Sequence, residues 1–170
     1  MFRLVLSLGL LLILSPAALA QGESNDDSAV THSGLPIPRF VSLKSDFVNV
    51  RVGPGKRYPI SWVYRRAHLP VEVIEEFGHW RKVRDHEQAE GWIHKGLLDG
   101  QRTVMIRYQR RPIYIAPDAS SAVVMEADPM VIAQAIECDT AWCKIEILKR
   151  EGWIRRDYVW GLYNNEQIQD

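Results

Sequence analysis

The chain has 170 residues, with 21 lysines and arginines against 21 aspartates and glutamates, 46% hydrophobic residues, two cysteines and six tryptophans. That makeup excludes a collagen-like or wholly disordered chain. A net charge of zero also argues against a nucleic acid as the main partner.

The first twenty residues read as an export signal. Met1-Phe2-Arg3 supplies one positive charge, Leu4 to Leu14 is an eleven-residue stretch interrupted only by Ser7 and Gly9, Pro16 breaks it, and Ala18-Leu19-Ala20 offers a small-x-small cleavage site. Eleven helical residues rise about 16 Å, roughly half a hydrocarbon core, so length disfavours a stable membrane anchor. Cleavage after Ala20 would leave a periplasmic or secreted chain with net charge −1. Gln21 to Arg39 is rich in Ser, Asp, Gly and Pro without a periodic apolar face, and is expected to be a flexible leader.

From Phe40 the grammar is that of strands. Val48 to Val52, Val71 to Ile74, Trp80 to Val83 and Gly91 to Ile93 are β-branched or aromatic runs separated by Gly, Pro and charge. Val48, Val50 and Val52 alternate with Asn49 and Arg51, so three aliphatics are expected inside a sheet and two polar groups outside. Gly53-Pro54-Gly55 then turns the chain.

The same grammar occurs twice. Trp80-Arg81-Lys82-Val83 is echoed by Trp142-Cys143-Lys144-Ile145, Glu90-Gly91-Trp92-Ile93 by Glu151-Gly152-Trp153-Ile154, and Val48-Asn49-Val50 by Ile113-Tyr114-Ile115, at offsets of 62, 61 and 65. The copies span 40–98 and 103–162, followed by a polar tail, 163–170, expected to fray. A domain of about 60 residues buries only about 60% of its unfolded surface, so two joined by so short a link are expected to lean on each other.

Cys138 and Cys143 flank Asp139-Thr140-Ala141-Trp142, a length that closes a β-hairpin, and in an oxidising compartment they should form a disulfide. Sliding the repeats by 62 places Cys138 on Glu76 and Cys143 on Arg81. The first copy is therefore expected to carry a cross-strand ion pair where the second carries a covalent bond. Taken as exposed, that pair would contribute about 0 to 1 kcal/mol, leaving the second hairpin better fastened.

Val48-Asn49-Val50-Arg51-Val52-Gly53-Pro54-Gly55, followed by Tyr58-Pro59-Ile60, resembles the opening strand and loop of a bacterial SH3-like (SH3b) domain. Val71-Glu72-Val73-Ile74, Gly78-His79-Trp80-x-x-Val83 and Gly91-Trp92-Ile93 resemble that family's later strands. The second copy lacks the Arg and Gly of the first and resembles the family through Trp142, Gly152-Trp153-Ile154 and its Cys-x-x-x-Trp-Cys string. The resemblance implies an all-β chain of two tandem small SH3-like barrels, with cell-wall peptides or envelope proteins as the partner class.

Arg51, Tyr58, Trp62 and Trp92 are the candidate ligand groove, since aromatic grooves on such barrels dock extended peptides. Arg51 has a structural alternative, a hydrogen bond to loop carbonyls. The five histidines lie in the leader or first copy, away from both cysteines, so no cysteine nucleophile has a base at hand. His79, His86 and His94 do not match a zinc spacing, and no phosphate-binding or dinucleotide motif is present; no metal or cofactor is expected. The reading is a non-enzymatic binding module of the cell envelope. Its alternative is an accessory subunit or regulator of a cell-wall hydrolase, or a cryptic hydrolase.

Overall fold

The structure, a computed structural model, describes residues 29–30 and 33–169. The expected signal peptide, 1–20, lies outside the described residues, as does most of the leader. No described helix is long and apolar enough to cross a membrane.

Two short strands, β1 (Ala29–Val30) and β2 (Pro36–Ile37), pair with each other ahead of the first barrel. Barrel 1 comprises β3 (Arg39–Leu43), β4 (Val48–Arg51), β5 (Ile60–Tyr64), β6 (Pro70–Phe77), β7 (Trp80–Arg84), β8 (Glu90–His94) and β9 (Leu98–Asp99). Barrel 2 comprises β10 (Thr103–Ile106), β11 (Arg111–Tyr114), β12 (Val123–Ala127), β13 (Ile132–Cys138), β14 (Trp142–Ile147), β15 (Arg150–Arg155) and β16 (Val159–Trp160). A 3-10 turn precedes the last strand of each, Lys95–Leu97 and Arg156–Tyr158. Strand order is β5-β4-β8-β7-β6-β3-β9 in one sheet and β12-β11-β15-β14-β13-β10-β16 in the other, so the sequence repeat is a topological repeat. The chain is all-β, two tandem small barrels.

Register corrects one offset. Val50 faces Trp62 and Arg51 faces Trp92, while Ile113 faces Met125 and Tyr114 faces Trp153. Val50 therefore corresponds to Ile113 and Arg51 to Tyr114, an offset of 63 rather than 65. A register irregularity follows Val50 and, at the matching place, Ile113. The extra residue lies on the partner strand each time, Ser61 in β5 and Val124 in β12, so β4 and β11 keep their alternation. Val48 and Val50 are fully buried, whereas Val52, expected inside, lies past the end of β4 where the chain enters the glycine loop and is 60% exposed.

Each sheet wraps its own core: Leu43, Val48, Val50, Val71, Val73, Val83 and Ile93 in barrel 1, and Ile106, Ile113, Ala133, Cys143, Ile145 and Ile154 in barrel 2. Strand β10 belongs to both. Val104 and Ile106 point into the second core and Met105 into the first, which is why all four residues of Thr103–Ile106 are buried. Polar contacts accompany that seam. The Thr103 hydroxyl donates to the His68 carbonyl at 2.7 Å and is 2.6 Å from the Ser42 hydroxyl, and Ser42 donates to the Gln101 carbonyl at 2.6 Å. Phe40 packs on Trp160 and Tyr163 with ring centres 5.2 and 4.8 Å away. Tyr163 donates to Glu72 across the same junction, at 2.7 Å. The barrels thus lean on each other.

Among the described residues, the end of the leader and the tail are both held against the barrels. Ser33 donates to the Glu76 carboxylate through its backbone N–H and its hydroxyl at 2.9 and 2.8 Å, so the leader is fastened to barrel 1 before Arg39. The tail is held by Arg156, only 6% exposed, which donates to the carbonyls of Tyr163 and Glu166, and by an ion pair of Arg102 with Glu166. Ile168 then exchanges backbone hydrogen bonds with Cys138 and packs on the second core. Buried cation and apolar side chain together give this polar segment enough to offset ordering.

Candidate functional site

The site is built from the outward face of β4, β8 and β7. Because side chains alternate along a strand, Asn49 and Arg51 emerge on one side of β4, Trp92 and His94 on the same side of β8, and Trp80 and Lys82 on that of β7. The ladder fixes their order: Arg51 and Lys82 lie opposite Trp92, and Trp80 lies opposite His94. The Trp80 and His94 rings meet edge to face at 5.5 Å. Asn49, Arg51, Lys56, Trp80, His94 and Leu97 line a cleft of about 320 Å³.

Charge in this cleft is of one sign. Burial, with His79, Lys56, Lys95 and Arg81 around it, lowers the His94 pKa below the ordinary histidine value. The His94 Nδ1 accepts the Gly96 backbone N–H at 3.2 Å, capping the 3-10 turn, which requires that nitrogen to be unprotonated. The carboxylate of the same face, Glu90, is bound by Lys82 at 3.0 Å. The surface therefore presents cations, an amide, one indole ring and an apolar corner.

The four groove candidates do not converge. Arg51 lines the cleft, held by a 2.7 Å hydrogen bond from Nη1 to the Tyr58 carbonyl, and Trp92 is buried beside it. Tyr58 itself packs under the glycine loop: a Cβ on Gly53 would stand 2.5 Å from its Cδ1. Trp62 faces inward, opposite Val50, packed on the core and meeting Tyr64 edge to face at 6.0 Å. The residues that sequence reasoning missed are Asn49, Lys56, Trp80, His94 and Leu97. Period-two alternation through Asn49-x-Arg51, Trp80-x-Lys82 and Trp92-x-His94 was the signal that could have grouped three of them.

Barrel 2 carries the same face with different side chains. Tyr114 occupies the Arg51 position and meets Trp142 edge to face at 5.8 Å. Arg155, opposite Trp142 as His94 is opposite Trp80, lies 5.7 Å over the Trp142 ring. Lys144 and Glu151 repeat the Lys82 and Glu90 bridge, at 2.6 Å. Aromatic and guanidinium groups thus stand against Trp142, where barrel 1 has a cleft beside Trp80.

At the end of the β6–β7 hairpin, Glu76 lies opposite Arg81, and Arg81 Nε is 3.0 Å from Glu76 Oε1. The pair is buried rather than exposed, and Arg39 joins it at 2.6 Å. At the matching place Cys138 lies opposite Cys143, joined in a disulfide with a Cα separation of 4.1 Å.

The chain belongs to the bacterial SH3 domain family, whose signature matches residues 44–100 and 107–161. No curated protein matches it. Among solved structures it is similar to NlpC2 and NlpC1 from Trichomonas vaginalis, at 14% and 15% identity with TM-scores of 0.34 and 0.31. It covers 48% and 45% of those chains with 72% of its own length. An NlpC/P60 family protein from Bacillus cereus is 12% identical over 71% of this chain and 55% of its own, with a TM-score of 0.33. The chain thus spans about half the length of the solved structures it matches.

Proposed function

We propose that the protein is a non-enzymatic binding module of the cell envelope, exported to the periplasm or beyond, that holds cell-wall peptide on the outer face of barrel 1. Family membership supports the partner class. One observation carries the choice of barrel: the 320 Å³ cleft beside Trp80, at the place where Tyr114 and Arg155 contact the equivalent Trp142 in barrel 2. The lining of cations, amide, indole and aliphatic chain can hold a peptide but supplies no hydroxyl, thiol or carboxylate to attack one. Both cysteines are already joined to each other.

Sedimentation with purified cell wall tests this reading. Wild-type protein should pellet, Trp80→Ala and Arg51→Ala should lose at least tenfold in affinity, and Trp142→Ala on barrel 2 should bind as wild type. Retention that needs an envelope extract would favour a protein partner instead. Turnover of wall fragments by the pure chain would overturn the non-enzymatic reading.

A further inference from the structure

The cleft of barrel 1 has features of a more specific receptor. Its cations come from two elements, Arg51 from β4 and Lys56 from the following loop, with His79 in the β6–β7 turn 6.0 Å from the His94 ring. Arg51 is fixed by the Tyr58 carbonyl, so its guanidinium is preorganised. Trp80 and Leu97 form the apolar wall, and Asn49 offers a donor and an acceptor suited to an amide. A single negative charge beside an amide and a small apolar group is the end of a peptide. A phosphate would match the cations but leave the apolar wall and Asn49 without partners.

We propose that this cleft takes the terminal carboxylate of a peptide and that His94 gains a proton as the carboxylate enters. The inference rests on the binding role argued above and deepens it. In the empty cleft a proton on His94 Nδ1 would displace the Gly96 N–H and meet the like charges of Lys56 and Lys95. Proton and cap compete for one lone pair. A carboxylate beside the ring reverses the balance by supplying the opposite charge, so the bound form holds the proton at a higher pH than the free form. Linkage then sets the sign: affinity is lowest above the bound-state pKa, rises as pH falls through it, and levels off below the free-state pKa, about tenfold per unit of separation.

The test uses the mature chain, from Gln21 onward, and acetyl-trialanine with a free C-terminus, compared with the same peptide as its C-terminal amide. Binding is followed by the Trp80 indole and His94 ring signals in nuclear magnetic resonance titrations between pH 8 and 5. The acid should move both signals and bind at least about tenfold tighter than the amide, and its affinity should rise several-fold toward pH 5.5. His94→Asn, whose side-chain oxygen can still cap Gly96, should bind with a flat pH profile. Equal binding of acid and amide, a pH-independent affinity, equal displacement by inorganic phosphate, or unmoved Trp80 and His94 signals at millimolar peptide would each overturn the proposal. Wall sedimentation separates the two levels. If Trp80→Ala still abolishes retention while the acid and amide peptides do not differ, the binding role stands and only the carboxylate assignment falls.

Discussion

At the tip of one hairpin, barrel 1 places Glu76 opposite Arg81, and at the same point barrel 2 places Cys138 opposite Cys143. Both positions are buried, both belong to hairpins of matching register, and each is met by a terminal segment: Ser33 on Glu76, Ile168 on Cys138. The chemistry differs in what it asks of its surroundings. A disulfide is satisfied by itself and acts mainly by restricting the unfolded chain. A buried carboxylate must be surrounded, and barrel 1 supplies Arg39, Arg81 and both donors of Ser33. The ionic hairpin has thereby recruited the leader, and its fastening depends on residues 37 to 43 positions distant in sequence.

Glu76→Ala would strip the carboxylate from two buried or half-buried arginines, and breaking such a pair costs about 3 to 5 kcal/mol. Replacing both cysteines by alanine closes no loop and removes no buried charge, so it should cost about 2 kcal/mol. Chemical denaturation of the two variants should therefore rank Glu76→Ala as the more destabilised. The reverse order would mean that the ionic cluster is exposed in solution.

The two outer faces differ in a similar way, with consequences for function in place of stability. Tyr114 and Arg155 rest on Trp142, whereas Arg51 and His94 leave a cleft beside Trp80. Tyr114→Leu should cost about 1 kcal/mol, the size of an aromatic pair lost beyond simple burial. Retention on cell wall should not change. Loss of wall binding in this variant would place the ligand on barrel 2.

Much of this was legible in the sequence because repetition is robust to local irregularity. Sliding one copy over the other by 62 placed Glu76 and Arg81 on the cysteine pair, and the cysteine spacing of five indicated a closed hairpin. What misled was alternation carried past the end of β4, which put Val52 inside, and the likeness of Val-Asn-Val to Ile-Tyr-Ile, which aligned Val50 with Ile115 instead of Ile113. Burial of Glu76 was hidden because its satisfying groups, Arg39 and Ser33, lie in a segment whose composition reads as unstructured. Trp62 and Tyr58 were chosen for the site as aromatics near a loop. Only the register of β4 with β5 and the contact of Tyr58 with Gly53 reveal them as packing residues.

The hairpin turns carry the smallest difference. In barrel 1 the turn after Phe77 uses Gly78 at φ +52°, a conformation that L side chains adopt reluctantly. In barrel 2 the matching residue is Thr140, and the turn is instead held by Asp139, whose Oδ1 accepts the N–H groups of Ala141 at 2.6 Å and Trp142 at 2.7 Å. Those two bonds lower the Asp139 pKa below the ordinary aspartate value. A depressed carboxylate contributes stability that is present above its unfolded pKa and is lost as pH falls through the folded one. Asp139→Asn keeps an oxygen acceptor but cannot titrate, so the difference in stability between wild type and variant should shrink between pH 5 and pH 2. Because Asp139 is exposed to solvent, the change should be about 0.5 kcal/mol or less. Unfolding curves at closely spaced acidic pH values would resolve it, and an unchanged difference across that range would mean that the turn does not depend on the charge of Asp139.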